Sequence, residues 1–359
     1  MVASIIVELC KNYGARDARV GEFSKRAVIN GKMDLSKAEA IVGMINAKSQ
    51  DSLKLASKQL KGDLRVFVEK LRESLIEMLA FVEVCIDYAE DDLDSDIKEQ
   101  IEKKLEKNIE LLKNTLCISE SRRGLLNGYK ISIVGKPNVG KSSLLNSLLA
   151  YNRAIISDIE GTTRDTIEEE IKIGTHLVRV VDTAGIRDAK DEIEKIGINR
   201  SKEAIEESEI VLALFDGSRE FSKDDEKIVE ILKNFHDKKI FYIITKADLK
   251  RVFFNDFIEK NDPISLSKED KALLIDRLRE YLDTQSYEDD LILINQRQND
   301  LVNDTLNALI DSKDDFKRGE LELFAFNINI AIEKISSLTK PFERDEILDS
   351  MFSNFCLGK

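Results

Sequence analysis

Residues 131–146 read Ile-Ser-Ile-Val-Gly-Lys-Pro-Asn-Val-Gly-Lys-Ser-Ser-Leu-Leu-Asn. The apolar run Ile131–Val134 is followed by a glycine-rich loop, Gly135–Ser142, and by a helix-like run that begins near Lys141. Glycines let backbone N–H groups converge on phosphates, and the start of a helix adds the positive end of a dipole. The order of strand, loop and helix therefore predicts a phosphate-binding loop. In such a loop Lys141 bridges the β- and γ-phosphates of a nucleotide and Ser142 binds Mg²⁺.

Short apolar runs alternate with helical stretches throughout the region from Tyr129 to about Asp283. This alternation is typical of a parallel sheet that is covered by helices. The runs are Ile131–Val134, Leu177–Val181, Ile210–Phe215, Ile240–Ile244 and the shorter Ile264–Leu266. The fold class that follows for this region is α/β.

The regions on either side of this α/β region have helical periodicity. One apolar stripe at helical spacing consists of Leu60, Leu64, Phe67, Leu71, Leu75, Met78 and Val82. A second stripe consists of Ile97, Ile101, Leu105, Ile109, Leu112 and Leu116. Each predicts one face of a long helix. The acidic stretch 90–96 between them is typical of a solvated turn, and its alternative, a cation site, lacks the spacing and glycine of a calcium loop.

Helical periodicity returns from Leu291 to Lys359. Helices before and after the α/β region suggest that it is inserted into one helical domain. The sequence also allows two separate helical domains.

Two further short motifs follow the phosphate loop. Asp182–Gly185 reads Asp-Thr-Ala-Gly and comes directly after an apolar run, where the aspartate suits a water-mediated Mg²⁺ contact and the Gly185 N–H suits a γ-phosphate. Gly161–Asp165 lies between this motif and the phosphate loop, and one of its threonines can complete the Mg²⁺ shell. Each motif alone is weak evidence. In this order they predict the two nucleotide-sensing switches of a GTPase.

Thr245–Asp248, which reads Thr-Lys-Ala-Asp, indicates which base is bound. A carboxylate there can accept from guanine N1–H and N2–H₂ together, whereas adenine offers no such pair of donors. Asparagine is the commoner first residue of this motif, so Thr245 is expected to weaken base binding. Ser267 and Lys268 follow the last apolar run and form the predicted final base-contacting turn.

Composition excludes several other functions. The net charge of −13 argues against a broad basic face for nucleic acid and against adhesion to anionic membranes. Four cysteines without close pairing and only two histidines make a zinc cluster improbable. No apolar run approaches the ~18 residues of a membrane span and no signal peptide opens the chain, so we expect a cytoplasmic protein with reduced thiols.

Several stretches outside the phosphate loop resemble the MnmE family, also called TrmE. These stretches are Gly21–Ala27, Asn30–Leu35, Ala38–Ala40, Gly161–Asp165, Asp182–Arg187 and the C-terminal Phe355–Lys359. The resemblance spans nearly the whole chain. It implies a GTPase that acts with the flavoprotein MnmG (GidA) to install an aminomethyl-type group on C5 of the wobble uridine of certain tRNAs, with a folate as one-carbon donor.

The resemblance also implies an architecture. Family members have an N-terminal α+β folate-binding domain, a helical domain, and a Ras-like G domain inserted in the helical domain. Carried onto this chain, residues 1–33 are a short remnant of the folate-binding domain, 34–125 the first half of the helical domain, 126–284 the G domain and 285–359 the second half.

The nucleotide site that the motifs and the resemblance together imply is drawn from five stretches of the chain. Its residues are Asn138, Val139, Gly140, Lys141, Ser142, Ser143, Ser157, Asp158, Ile159, Glu160, Gly161, Thr162, Thr163, Asp182, Thr183, Ala184, Gly185, Thr245, Lys246, Ala247, Asp248, Ser267 and Lys268. Ser142 and Thr163 would bind Mg²⁺. Ile186 stands where Ras-like enzymes place a water-orienting glutamine, and the resemblance assigns that role to Glu194.

The family uses K⁺ and dimerisation of G domains in place of an arginine finger. The K⁺ ligands that match here are the side-chain oxygen of Asn138, the backbone oxygens of Ser157 and Ile159, and Thr162. A monovalent cation there would offset charge that develops between the β- and γ-phosphates. Arg153, Arg164 and Arg187 are alternative charge donors.

The start of the chain departs from the family. A complete folate-binding domain needs roughly a hundred residues, whereas only residues 1–33 precede the helical region here. Lys32 and Lys359 match family folate contacts, but folate binding by this chain is doubtful. A missing domain would expose apolar surface around Ile5, Ile6, Val7 and Leu9. Cys356 lies near the family's proposed modification centre and is equally interpretable as a small buried thiol.

A second class of function remains open from the sequence. The same nucleotide motifs would serve a GTP-dependent binding switch in ribosome assembly or signalling, with little intrinsic turnover.

Overall fold

The computed structural model describes residues 2–87, 95–153, 169–181, 202–267, 272–285 and 290–340. These residues form two compact units. The first unit contains the described residues within 2–47, 53–120 and 290–340. The second contains residues 48–52 and the described residues within 121–289.

The helices and strands alternate in type only in the middle of the chain. In chain order the elements are α1 Val2–Asn12, α2 Glu22–Ile29, α3 Leu35–Ile45, α4 Gln50–Lys61, α5 Asp63–Asp87, α6 Ser95–Ser121, α7 Arg123–Asn127, β1 Tyr129–Val134, α8 Lys141–Arg153, β2 Glu169–Ile173, β3 His176–Val180, β4 Ile210–Asp216, α9 Lys223–Leu232, β5 Lys239–Thr245, α10 Asp256–Glu259, β6 Ile264–Leu266, α11 Ala272–Thr284, α12 Gln296–Arg318 and α13 Leu321–Ser336.

Four long helices, α5, α6, α12 and α13, share the core of the first unit. The stripes predicted from the sequence supply much of it, and residues such as Leu71, Met78 and Leu105 are almost completely buried. Phe316 and Phe324 pack with their ring centroids 5.0 Å apart. Burying one large apolar side chain is worth about 1.5–3 kcal/mol, so this shared face is the main source of stability for the unit.

The first predicted helix is interrupted near its start. The stripe that begins at Leu60 predicted one continuous helix, but α4 ends at Lys61 and α5 begins at Asp63. Gly62 between them has φ of 109°, which residues with a side chain rarely adopt. The prediction of a single helix is therefore wrong for Leu60, which belongs to α4, and correct for the rest of the stripe.

Six strands form the sheet of the second unit in the order β2-β3-β1-β4-β5-β6. Every neighbouring pair is parallel except β2 and β3, which are antiparallel. The predicted α/β class and the five predicted strands are confirmed, and these five strands run parallel as predicted. The sixth strand, β2, was not predicted and makes the sheet mixed, because it pairs antiparallel with β3. All seven residues of β4 are buried, which places this strand at the centre of the sheet.

The segment 2–33 contains α1 and α2, and no strand lies among its described residues. The α+β character predicted for this segment is thus not seen there. The expected apolar exposure is present, because Ile5, Ile6, Val7 and Leu9 on α1 are each half exposed or more.

Of the predicted acidic turn, Ser95 and Asp96 instead begin α6, and residues 90–94 lie outside the described part of the chain. Within the part that is described, no helix is both long enough and apolar enough to cross a bilayer.

Candidate nucleotide site

The phosphate loop, the Thr245–Asp248 motif and Ser267 lie at one edge of the sheet in the second unit. The strands β1, β4, β5 and β6 run parallel, so their carboxyl ends lie at the same edge. The phosphate loop follows β1, which lies between β3 and β4 where the strand order reverses. Ligands of open α/β sheets bind at such a reversal.

The backbone of the phosphate loop is bent by residues with positive φ. Gly140 has φ of 112° and Asn138 has φ of 61°. A Cβ at Gly135 would lie 2.7 Å from the Leu214 carbonyl oxygen on β4, so a larger residue would push the loop away from the sheet. Helix α8 begins at Lys141, within the last two residues of the loop, and the Leu144 N–H donates to the Gly140 carbonyl at 2.9 Å. The loop therefore ends at the positive end of a helix dipole.

The side chain of Lys141 is held across the loop. Its ammonium donates to the carbonyl oxygens of Gly135 at 2.6 Å and Lys136 at 3.1 Å. Burial lowers the pKa of this ammonium from its usual value, because the surroundings stabilise the charged form less than water does. An anion bound in the loop would compensate for that lost solvation.

The Thr245–Asp248 motif is joined to the phosphate loop. The buried hydroxyl of Thr245 lies 2.7 Å from the Val139 carbonyl oxygen and 3.1 Å from that of Phe215. With one proton, it donates to the nearer acceptor, Val139. A threonine in the first position of the motif therefore still connects β5 to the loop.

The second residue of the motif, Lys246, binds Asp216 at the end of β4. Its ammonium lies 2.5 Å from Asp216 Oδ2, and Oδ1 accepts from the Ser218 hydroxyl at 2.6 Å and from the Ser218 N–H at 3.0 Å. Burial raises the pKa of the Asp216 carboxyl, but the hydrogen bonds from Lys246 and Ser218 outweigh it, and the net pKa is lowered. Asp216 is thus an anion that fixes the Lys246 side chain.

The remaining base-side residues lie at the same sheet edge. The Ala247 N–H donates to the Leu266 carbonyl at 3.1 Å, which connects the motif to β6 and to Ser267 directly after it. The carboxylate of Asp248 is exposed to solvent, as are the side chains of Asn138, Ser142 and Ser143. A ligand that spans the two loops can reach both groups.

The structure also identifies residues near the loop that the sequence analysis did not. Lys136, the second residue of the loop, forms an ion pair with Asp225 on α9 at 2.7 Å. Ser222 and Asp225 form a capping box, which the spacing Ser-x-x-Asp could have indicated. The pair with Lys136, 89 positions away in the sequence, has no such signature. Asp216 follows a predicted strand directly and could have been singled out on that ground.

Many predicted site residues lie outside the described residues, so their positions stay predictions. They are Ser157, Asp158, Ile159, Glu160, Gly161, Thr162, Thr163, Asp182, Thr183, Ala184, Gly185, Glu194, Lys268, Cys356 and Lys359.

Lys32 belongs to the first unit, where its side chain is exposed in the turn between α2 and α3. Three residues later, the Leu35 N–H donates to the Thr339 carbonyl at 3.0 Å. That bond joins the start of α3 to the segment that follows α13.

Comparisons with known proteins identify relatives of this chain. A tRNA modification GTPase MnmE from Sulfurimonas denitrificans is 52% identical over 360 residues, covering 100% of this chain and 80% of the relative. The protein of that name from Aliarcobacter butzleri is 52% identical over 358 residues, with the same coverage. A solved structure of Era with MgGDPNP and 16S ribosomal RNA is similar over 52% of this chain and 65% of its own, at 24% identity and a TM-score of 0.33, too low to bear on the fold.

The family model for the MnmE helical domain matches residues 35–356, which include both helical regions and the sheet between them. About half of its residues are identical to those of these relatives, and the family model matches most of its length, so this chain belongs to the MnmE family.

Proposed function

We propose that this chain is a GTP hydrolase that serves the modification of tRNA. The observation that carries the proposal is the junction of two loops at one sheet edge. The phosphate loop and the Thr245–Asp248 motif follow strands of one sheet and are joined by the hydrogen bond from Thr245 to Val139. The shared name of its relatives, tRNA modification GTPase MnmE, supports the same activity.

GTP fits the groups that these loops present. Lys141 and the N–H groups at the start of α8 supply positive charge for the phosphates. The exposed carboxylate of Asp248 can accept from both N–H donors of guanine, and Ser267 lies at the end of the neighbouring strand. The adenine base of ATP lacks this pair of N–H donors, so the carboxylate favours GTP.

Mg²⁺ fits the hydroxyl of Ser142, which is exposed directly after Lys141. Hydroxyl and phosphate oxygens are the hard ligands that this ion prefers. Thr163 is the second protein ligand that we propose. When bound, the ion neutralises charge on the β- and γ-phosphates.

K⁺ fits an exposed oxygen ligand in the phosphate loop. Asn138 has φ of 61°, and its side chain is exposed to solvent. Ser157, Ile159 and Thr162 complete the proposed ligand set. When bound, the cation would offset the charge that develops on the phosphates during hydrolysis.

We assign the orientation of the attacking water to Glu194, because a carboxylate can accept a hydrogen bond from water whereas Ile186 cannot. Asp182 and Gly185 would contact Mg²⁺ and the γ-phosphate. Two copies of the chain would meet through their G domains to complete the K⁺ site.

We further propose that the chain consists of a G domain inserted in a helical domain. The boundaries of the two compact units, near residues 48–52, 121 and 289, support this insertion. The chain would act with the flavoprotein MnmG on the wobble uridine of tRNA in the cytoplasm. Lys32 and Lys359 are candidate folate contacts. Cys356 is a candidate residue of the modification centre.

Hydrolysis measured in two salts tests the catalytic assignment. GTP turnover with Mg²⁺ is expected to be faster in KCl than in NaCl at equal ionic strength. Glu194→Ala is expected to lower kcat by about a hundredfold, since a positioned base contributes roughly that much. GDP affinity should be unchanged, because Glu194 acts on water and not on the diphosphate.

The control is Glu207→Ala, which removes an exposed carboxylate a short distance further along the chain. Equal turnover in the two salts would contradict the K⁺ site. Full activity in Glu194→Ala would contradict the role of that carboxylate.

A further inference from the structure

A buried ion pair connects the phosphate loop to helix α9. Lys136 Nζ lies 2.7 Å from Asp225 Oδ2, and the two side chains are 12% and 0% exposed. Neither residue is among the groups that contact nucleotide in the function proposed above. An ion pair this deeply buried requires an explanation, because replacing such a pair by apolar residues is often neutral or stabilising.

Capping of α9 accounts for only part of the Asp225 environment. Asp225 Oδ2 accepts from the Ser222 N–H at 3.0 Å and the Ser222 hydroxyl at 2.7 Å. A neutral asparagine oxygen could accept the N–H equally well. Asp225 Oδ1 is buried and has no hydrogen-bond partner in the described part of the chain. A charged carboxylate is therefore retained at a cost that capping does not offset.

The backbone of Lys136 bears directly on the phosphate-binding lysine. Its carbonyl oxygen accepts from Lys141 Nζ at 3.1 Å and is 3.4 Å from the Val139 nitrogen, which donates to it. Pro137 follows and restricts the backbone of Lys136 to extended conformations. Fixing the far end of the Lys136 side chain therefore fixes the direction of a carbonyl that holds the Lys141 ammonium.

We propose that Asp225 is a positioning residue for the phosphate loop, which acts through Lys136 to hold the Lys136 carbonyl against the Lys141 ammonium. The inference rests on the proposed GTPase function and adds a helix that has no nucleotide contact of its own. Asp225 keeps the loop in its binding geometry before the nucleotide arrives. A preformed loop binds phosphate without a further ordering cost.

Nucleotide affinity in the full-length chain tests the proposal. The variants are Asp225→Asn, which keeps an oxygen for the cap but removes the charge, and Lys136→Met, which leaves the capping box intact. Each is expected to weaken GDP binding and raise the KM for GTP by about tenfold, with a smaller change in kcat. Lys136→Arg, which keeps the positive charge, is expected to restore most of the affinity.

Two comparisons distinguish a positioning role of Asp225 from a general effect on the stability of the protein. Asp224→Asn is the matched control, because Asp224 lies beside Asp225 in the first turn of α9 but its side chain is 51% exposed and pairs with Lys227. The double variant Asp225→Asn/Lys136→Met should bind GDP no more weakly than either single variant, because both remove the same contact. Thermal melting by circular dichroism measures any loss of stability separately.

Unchanged GDP affinity in Lys136→Met, or additive losses in the double variant, would overturn this inference alone. A wild-type chain that does not bind GTP would overturn the proposed function and, with it, the inference.

Discussion

The hydroxyl of Thr245 makes the contact that joins the base side of the site to its phosphate side, at 2.7 Å from the Val139 carbonyl. The sequence analysis treated this threonine only as a departure from asparagine that weakens base binding. The hydrogen bond to the phosphate loop depends on tertiary packing between residues 106 positions apart, which no local pattern encodes. The same limitation applies to Lys136 and Asp225.

Removing this one hydroxyl is expected to weaken nucleotide binding. Thr245→Val keeps the shape of the side chain but leaves the buried Val139 carbonyl without its donor. A lost hydrogen bond of this kind is worth about 1 kcal/mol, so we expect the GDP dissociation constant to rise about fivefold. Fluorescence titration with a labelled GDP analogue measures the change.

Thr245→Ser is the matched control, since it removes a methyl group and keeps the donor. Equal affinities of the valine and wild-type chains would show that the bond to Val139 does not support the loop.

At the scale of elements, short buried strands were more predictable than the edge of the sheet. Five strands are short apolar runs bounded by turn residues, so the pattern and the composition of each run both predict a strand. They are β1, β3, β4, β5 and β6. β2 has the sequence Glu-Glu-Ile-Lys-Ile, and only its two isoleucines are buried. An edge strand of this kind is stabilised by pairing with β3 rather than by its own composition, and the sequence did not reveal it.

The β2–β3 hairpin carries a histidine held between two carboxylates. His176 Nε2 lies 2.8 Å from Asp283 on α11, and Nδ1 lies 2.7 Å from Asp51, although not in hydrogen-bond alignment. The ring of Tyr129 on β1 is 6.2 Å away, and Arg279 is 3.8 Å from Asp283. Burial lowers the pKa of His176, but Asp51 and Asp283 together outweigh it, and the net pKa is raised.

This raised pKa predicts a pH dependence for the hairpin. The charged imidazole contributes stability that is fully present below the unfolded pKa of about 6.5 and is lost as pH rises through the higher folded value. We therefore expect the imidazole signal of His176 in NMR titrations to shift at a pH above 6.5. His176→Gln should flatten the fall in stability of the second unit over the same range.

His236, the other histidine of the chain, is exposed and serves as the control, so His236→Gln should leave that pH dependence unchanged. A His176 signal that titrates below about 6.5 would show that burial dominates over the two carboxylates.

At the scale of the whole molecule, the two units have separate cores. The core of the first unit is formed by α5, α6, α12 and α13, and a core of the second lies around β4, β5 and α9. Helical periodicity on both sides of the α/β region predicted a helical core separate from the core of the sheet. The reason is that the apolar stripe of each helix must pack against another apolar face. The stripes did not show which helices pair, since any amphipathic face of matching length could have served.

Separate cores predict that damage to one unit stays local. Leu71→Ala removes a side chain that is 2% exposed in the helical core, and we expect a loss of about 2–5 kcal/mol in the stability of the first unit. Amide hydrogen exchange followed by mass spectrometry should show faster exchange in α5, α6, α12 and α13, with β1 and β4 unchanged. GDP affinity should remain at the wild-type value, because the nucleotide site lies in the second unit. Leu111→Ala is the control on α6, where the side chain is 42% exposed and little change is expected. Faster exchange in β1 and β4 of the Leu71 variant would mean that the two cores unfold together.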